Sequence, residues 1–256
     1  MIDVPILSIL GAAFTIAVRL TGLMLFAPLF GSMSIPVRVK ALLVLALTVL
    51  MLPAVGHQAI PQSLVGWPML VITEFTIGVA MGLATNLVFE AAQLAGSILG
   101  VQMGYSLVNI LDPQSQVETT VVATLYQSIV LLLFLRMNVH LWLLRAIGKS
   151  FEYLPPGSAH LNDAFTAAVL KGASEIFSVG IQIAAPVLAT TLAADIVLGL
   201  LGKASPQMPL MQLGPALKSL MGLGILAATL KYWPDLFERL FTISMTKGEG
   251  LLHLAG

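Results

Sequence analysis

Apolar residues in this chain come in long blocks, broken by short loops rich in proline, glycine and charge, and the blocks predict seven helical segments. The first runs from about Pro5 to Phe30 and contains Arg19. The second, Ala41 to Leu52, lies between Arg38 and Lys40 on one side and Pro53 on the other. Its twelve residues rise only about 18 Å as a helix, against a hydrocarbon core of roughly 30 Å, so alone it spans poorly. A charge-free linker leads to the third, Trp67 to Phe89, which is interrupted by Glu74 and carries Gly78 and Gly82. The fourth covers Ala91 to Leu111, and with the third it forms either two spans or one broken hairpin. The fifth runs from Thr119 to about Ile147, with Arg136, His140 and Arg145 at its end, and a turn follows at Leu154-Pro155-Pro156-Gly157-Ser158. The sixth, Phe165 to Leu201, is too long for one straight span, and Pro186 predicts a kink in it. A proline-rich loop, Ala204 to Pro215, precedes the seventh, Ala216 to about Tyr232, and an amphipathic tail.

The fourth segment has its own pattern. Ala92, Gly96, Gly100 and Gly104 are four apart, which lines small residues along one slowly drifting helix face where a neighbouring helix can approach to backbone contact. The segment then collects Gln102, Ser106 and Asn109 before Asp112-Pro113. A helix is expected to stop there, because proline leaves the Asn109 carbonyl without its donor and pushes Asp112 toward extended geometry. A packing helix thus runs into a polar loop.

Composition places the whole chain at a membrane. Of its 256 residues 58% are hydrophobic and 9% charged, against roughly 25% charged in a soluble domain. Mean hydropathy is +0.97. Twelve basic and twelve acidic residues cancel, so no net field favours nucleic acid. The absence of cysteine excludes disulfides, thiolate zinc sites and iron–sulfur clusters. The start, Met1-Ile2-Asp3-Val4-Pro5, has an acidic residue where a secretory signal carries basic ones, so the first segment is expected to be retained. Basic residues gather at Arg38 and Lys40, at Arg136, Arg145 and Lys149, and at Lys231, Arg239 and Lys247. The positive-inside rule then predicts an outside N-terminus and a cytoplasmic C-terminus, with Lys203 the exception.

Charges inside the apolar blocks are costly at mid-bilayer and must face protein, a partner or water. Arg19, Glu74, Lys171, Glu175 and Asp195 are such residues, and they are candidates for ion pairs between subunits, Lys171 and Glu175 also being four apart on one helical face. Catalytic and cofactor signatures are weak. Gly222-Leu223-Gly224-Ile225-Leu226-Ala227 has the letters of a dinucleotide glycine motif but no strand before it. Gly199-Leu200-Leu201-Gly202-Lys203-Ala204-Ser205 lacks the spacing of a phosphate loop, and the four histidines never reach metal-ligand spacing. No cofactor and no enzymatic activity are expected. A secondary transporter, with broken helices and buried charges, is the rival from another class, although no internal repeat supports it.

Specific motifs then accumulate in order. Gly96-x-x-x-Gly100-x-Gln102-Met103-Gly104 with Asp112-Pro113 resembles the FliR family of flagellar type III export-gate subunits, whose injectisome relative is SctT. The resemblance extends through Arg19 with Ala27-Pro28 and Pro36-x-Arg38-x-Lys40, and through Glu74 with Gly78 and Gly82. It continues through Asn138-x-His140, Ser150-Phe151 with Leu154-Pro155-x-Gly157, Ala184-Ala185-Pro186-Val187, and Leu198-Gly199-Leu200-Leu201 with Pro206-Gln207-Met208. The chain departs from the family at Val139, where glycine is usual, and at Pro209, where asparagine is common.

The resemblance implies an all-α, polytopic, membrane-associated bundle of bent helical hairpins, like a FliP-like part (about 1–160) fused to a FliQ-like part (161–256). It implies a non-enzymatic subunit of the inner-membrane flagellar basal body that joins FliP-like and FliQ-like subunits and an FlhB-like switch protein, passing unfolded substrates. It also implies that Met103, Tyr105, Ser106, Asn109, Asp112, Pro113, Gln114, Gln116 and Glu118 belong to a plug that closes the pore, a role that suits the flexible thioether of Met103.

Overall fold

A computed structural model describes residues 4–32, 34–55, 66–105, 120–159, 162–205, 207 and 210–255. Among these the chain is all-α. The helices are α1 (Val4–Phe26), α2 (Val37–Val55), α3 (Gly66–Gln102), α4 (Val121–Arg136), α5 (Val139–Tyr153), α6 (Asp163–Ala204), α7 (Leu210–Thr229) and α8 (Trp233–Leu254), with a 3-10 turn at Leu230–Tyr232. Among the described residues, four stretches are long and apolar enough to cross a membrane: Ser8–Phe26, Gly66–Gln102, Asp163–Ala204 and Leu213–Leu254, with the bent pair α4 and α5 a fifth. The second predicted segment is not among them. It is longer than expected, because α2 starts at Val37 and continues past Pro53 to Val55.

The expected boundary between the third and fourth segments is absent. The 37 residues of α3 form one helix, about 55 Å long and therefore well beyond the thickness of a hydrocarbon core. Glu90 interrupts the apolar run in composition, but neither proline nor a left-handed residue interrupts the backbone. The end also lies earlier than Asp112-Pro113 suggests. Gly104 takes φ 87°, its N–H donates to the Val101 carbonyl (3.1 Å), and the Tyr105 N–H donates to the Gly100 carbonyl (2.9 Å). Those paired bonds form a Schellman cap, which glycine enters without the steric cost of a side chain.

The fifth segment is two helices rather than one. α4 and α5 are bent by 62° at Met137-Asn138, where Asn138 is left-handed with φ 56°. Its N–H donates to the Leu135 carbonyl (3.1 Å), and its carbonyl accepts from Leu141 and Trp142 (3.0 and 3.2 Å). Asparagine tolerates that backbone conformation better than most residues, so it breaks a helix where no glycine or proline stands. Similarly, the loop expected to last until Pro215 ends sooner, since α7 starts at Leu210 and carries Pro215 in its second turn. α6 runs 42 residues through Pro186.

The chain forms two compact units, interleaved along the sequence. The first comprises residues 1–87, 134–173 and 241–256. Its core includes Ile16, Leu20 and Leu23 of α1, Ile77 and Met81 of α3, Leu143 and Ile147 of α5, and Phe241 of α8. α2 packs along α1 and also touches α5. The second comprises residues 88–133 and 174–240. Ala92, Ala95 and Leu99 of α3, Ala123 and Tyr126 of α4, Ala184 and Val187 of α6, and Phe237 of α8 are buried in it. Tyr126 stacks at a tilt on Trp233, with ring centroids 4.7 Å apart.

Candidate functional site

Each unit holds a polar cluster among apolar helices, and the first is a closed network. Arg19 of α1 gives Nε to Glu74 Oε2 at 2.7 Å, and its Nη2 stands 2.7 Å from the same oxygen. Nη1 donates to Ser150 Oγ at 2.7 Å, and Nη2 also donates to the Leu154 carbonyl at 3.1 Å. The other Glu74 oxygen accepts from the Gly157 N–H at 3.0 Å. The Ser150 hydroxyl in turn donates to the Ile147 carbonyl at 2.7 Å. Beneath the guanidinium lies the Phe151 ring, 3.9 Å from Cζ to centroid, adding a cation–π contact.

Helix glycines make this network reachable. A Cβ on Gly78 would collide with the Arg19 carbonyl, one on Gly22 with the Phe75 carbonyl, and one on Gly82 would come 2.9 Å from the Leu23 carbonyl. α1 and α3 therefore touch backbone to backbone, and two side chains 55 residues apart meet over a short reach. The pairing considered between subunits is made by Arg19 and Glu74 inside one chain. The partners Ser150, Leu154 and Gly157 all lie in the motif around the Leu154 turn, which carried no chemical role in the sequence alone.

The second cluster surrounds the end of α3. Gln102 Nε2 donates to Asp195 Oδ2 of α6 at 2.8 Å, and Asp195 Oδ1 pairs with Lys218 Nζ of α7 at 2.8 Å. This pairing too is intramolecular. Met103 is buried, and a Cβ on Gly222 would stand 2.8 Å from its sulfur. Gly104 faces Pro215, where an added Cβ would come 3.0 Å from the proline Cβ. Tyr105 shares a hydrogen bond with Ser219, 2.7 Å between oxygens.

Just before the end of α3, the same glycine stripe meets α4. A Cβ on Gly96 would collide with the backbone of Ala123, and one on Gly100 would reach to 2.5 Å from Thr120 Oγ1. Ala92 is buried in the same unit. Thr120 is the N-cap of α4: its Oγ1 accepts from the Ala123 N–H at 3.1 Å and donates to the Gly96 carbonyl at 3.3 Å. Gln127 and Gln93 join one turn further along, at 2.7 Å. Lys171 and Glu175 sit on α6, exposed and half-buried respectively, each with interactions of its own. Ser106, Asn109, Asp112, Pro113, Gln114, Gln116 and Glu118 lie outside the described residues. No group of three metal-ligating side chains occurs among the described residues.

A family model described as bacterial export proteins, family 1, matches residues 10–243. The chain belongs to this family. Among its relatives, the flagellar biosynthetic protein FliR of Escherichia coli (strain K12) is 32% identical over 236 residues, covering 92% of this chain and 90% of that one. FliR of Pectobacterium carotovorum is 30% identical, covering 88% and 86%, and FliR of Bacillus subtilis (strain 168) is 25% identical, covering 98% of both. As a member of the FliR family the protein is a structural, non-enzymatic export-gate subunit of the inner membrane and flagellar basal body. It works with other components of the export apparatus. That assignment displaces the single-chain transporter.

Proposed function

We propose that this FliR-family chain joins FliP-like and FliQ-like subunits, alongside an FlhB-like protein, to form the pore through which unfolded flagellar substrates leave the cytoplasm. In this reading residues 1–160 act as the FliP-like part and 161–256 as the FliQ-like part, the C-terminus is cytoplasmic, and the segment between α3 and α4 plugs the conduit. The observation that carries it is the match over residues 10–243 to an export family. The plug draws support from its two boundaries: Tyr105 is tied to Ser219, and Thr120 is tied to Gly96.

Deleting Pro113 to Val117 in the assembled complex and measuring ion leak across the membrane tests the plug. Leak is expected to rise while co-purification with FliP-like and FliQ-like subunits persists; unchanged conductance overturns the plug. An active monomer in liposomes, needing no partners, overturns the assembly.

A further inference from the structure

The residues of α7 that meet the end of α3 are Pro215, Ser219 and Gly222, and Lys218 joins them by pairing with Asp195, the partner of Gln102. They are spaced i, i+3, i+4 and i+7, so they form one helix face. Four consecutive residues at the end of α3 and in its cap lie against that face or its ion partner: Gln102 through Asp195, Met103 at Gly222, Gly104 at Pro215, and Tyr105 at Ser219. We propose that this face of α7, with Asp195 of α6, is a clamp that holds the last turn of α3 when the gate is shut and releases it during export. The proposal rests on the gate reading above and names Asp195, Lys218, Ser219 and Gly222 as positioning residues.

The contacts suit release rather than permanent attachment. Asp195 is 41% and Lys218 19% exposed at the side chain, so this chain does not enclose either charge fully, and a second polar partner can reach them when the pair opens. Tyr105 and Ser219 share a single hydrogen bond between hydroxyls, each of which water can also satisfy. Met103 sits under a glycine, a smooth surface past which a flexible thioether can slide. The Schellman cap keeps the turn from unravelling, so what the clamp lets go is an intact helix end.

A chain without cysteine allows a clean covalent test. A Cβ at position 222 would lie 3.0 Å from Cγ of Met103, so Met103→Cys with Gly222→Cys brings two thiols into disulfide range, and Met103→Cys removes the atoms that the new Cβ would crowd. In the assembled gate, oxidising this pair is expected to lower secretion, and adding reductant to the same preparation to restore it. The reversal separates locking from misfolding. Secretion unchanged by complete cross-linking overturns release.

From the other side, Lys218→Gln and Asp195→Asn are expected to raise resting ion leak by roughly two- to fivefold, the range that an ion pair of this exposure supports. The exchange Asp195→Lys with Lys218→Asp is expected to bring leak back down. Wild-type leak in both single variants, in complexes that assemble normally, overturns the clamp. If deletion of Pro113 to Val117 leaks while these variants do not, the plug stands and the clamp falls. If the variants leak and the deletion does not, the seal lies at the clamp.

Discussion

Arg19 with Glu74 and Lys218 with Asp195 are ion pairs of nearly equal length, 2.7 and 2.8 Å, yet the first is 0% exposed on both sides and the second 19% and 41%. The difference lies in how many further groups each pair recruits. Arg19 and Glu74 add a serine hydroxyl, a backbone carbonyl, a backbone N–H and an aromatic face, so that water is not needed by either charge. Lys218 and Asp195 add the Gln102 amide and are otherwise left partly uncovered by this chain. A charge sealed with every partner in place fixes one arrangement, because opening it strands both charges away from water. A charge pair that its own chain leaves partly open keeps access to other partners. On the clamp proposal, the first belongs to the scaffold and the second to the part that opens.

The largest expected effect breaks the sealed pair. Glu74→Ala leaves Arg19 buried and unpaired, which costs about 3–5 kcal/mol, read as a lowered Tm or lost protease resistance in detergent. Replacing both, Arg19→Met with Glu74→Leu, is expected to recover most of that loss, because no uncompensated charge remains. Equal loss in the double variant shows that the wider network, rather than the stranded charge, carries the stability.

Next comes the contact that brings the pair together. Gly78→Leu forces α1 from α3 at a cost of about 1–3 kcal/mol or more, and accumulation of folded protein should fall accordingly. Gly224→Ala is the control: nothing lies within 4 Å of its added Cβ, and helix propensity favours the change by about 1 kcal/mol. A tolerated Gly78→Leu refutes backbone contact between the two helices.

The bend is a smaller term. Asn138→Val places a β-branched residue at φ 56°, with an expected loss of about 1–2 kcal/mol, whereas Asn138→Gly is expected to be nearly neutral. Thermal unfolding of the two side by side decides it, and equal behaviour removes the left-handed backbone as the reason for asparagine. Smallest is Asp195→Asn, which should change stability by less than about 1 kcal/mol, and by less still at high salt. A loss approaching that of Glu74→Ala erases the distinction between the clusters.

Much of the fold was readable in advance. Arg19 and Glu74 stood out because a charge in an apolar block needs a partner, and Gly78 and Gly82 because small residues four apart invite a neighbour. Their mutual contact was not readable, since it depends on Gly22 of α1 facing the same way. Thr120 precedes an apolar run, as an N-cap does, and that signal was available. Lys218, a charge inside the seventh apolar segment, carried the same signal as Arg19 and was passed over, whereas Ser219 carried none; it becomes part of a site only because α7 turns the face of Pro215, Lys218, Ser219 and Gly222 toward that cluster.

Composition and pattern by themselves determined a membrane-associated helical chain, the approximate places of its helices, the residues that carry unavoidable charge and, through the order of its motifs, the family. Those properties are local or additive: hydropathy, period and spacing are carried by neighbouring residues. Tertiary structure alone decided that two predicted segments are one helix, that one is two, that α3 ends at Gly104, and which charge meets which. Such outcomes depend on what packs against a segment. Glu90 keeps a long helix and Asn138 breaks one, although both are polar residues in apolar runs, so hydropathy and period did not tell the two apart.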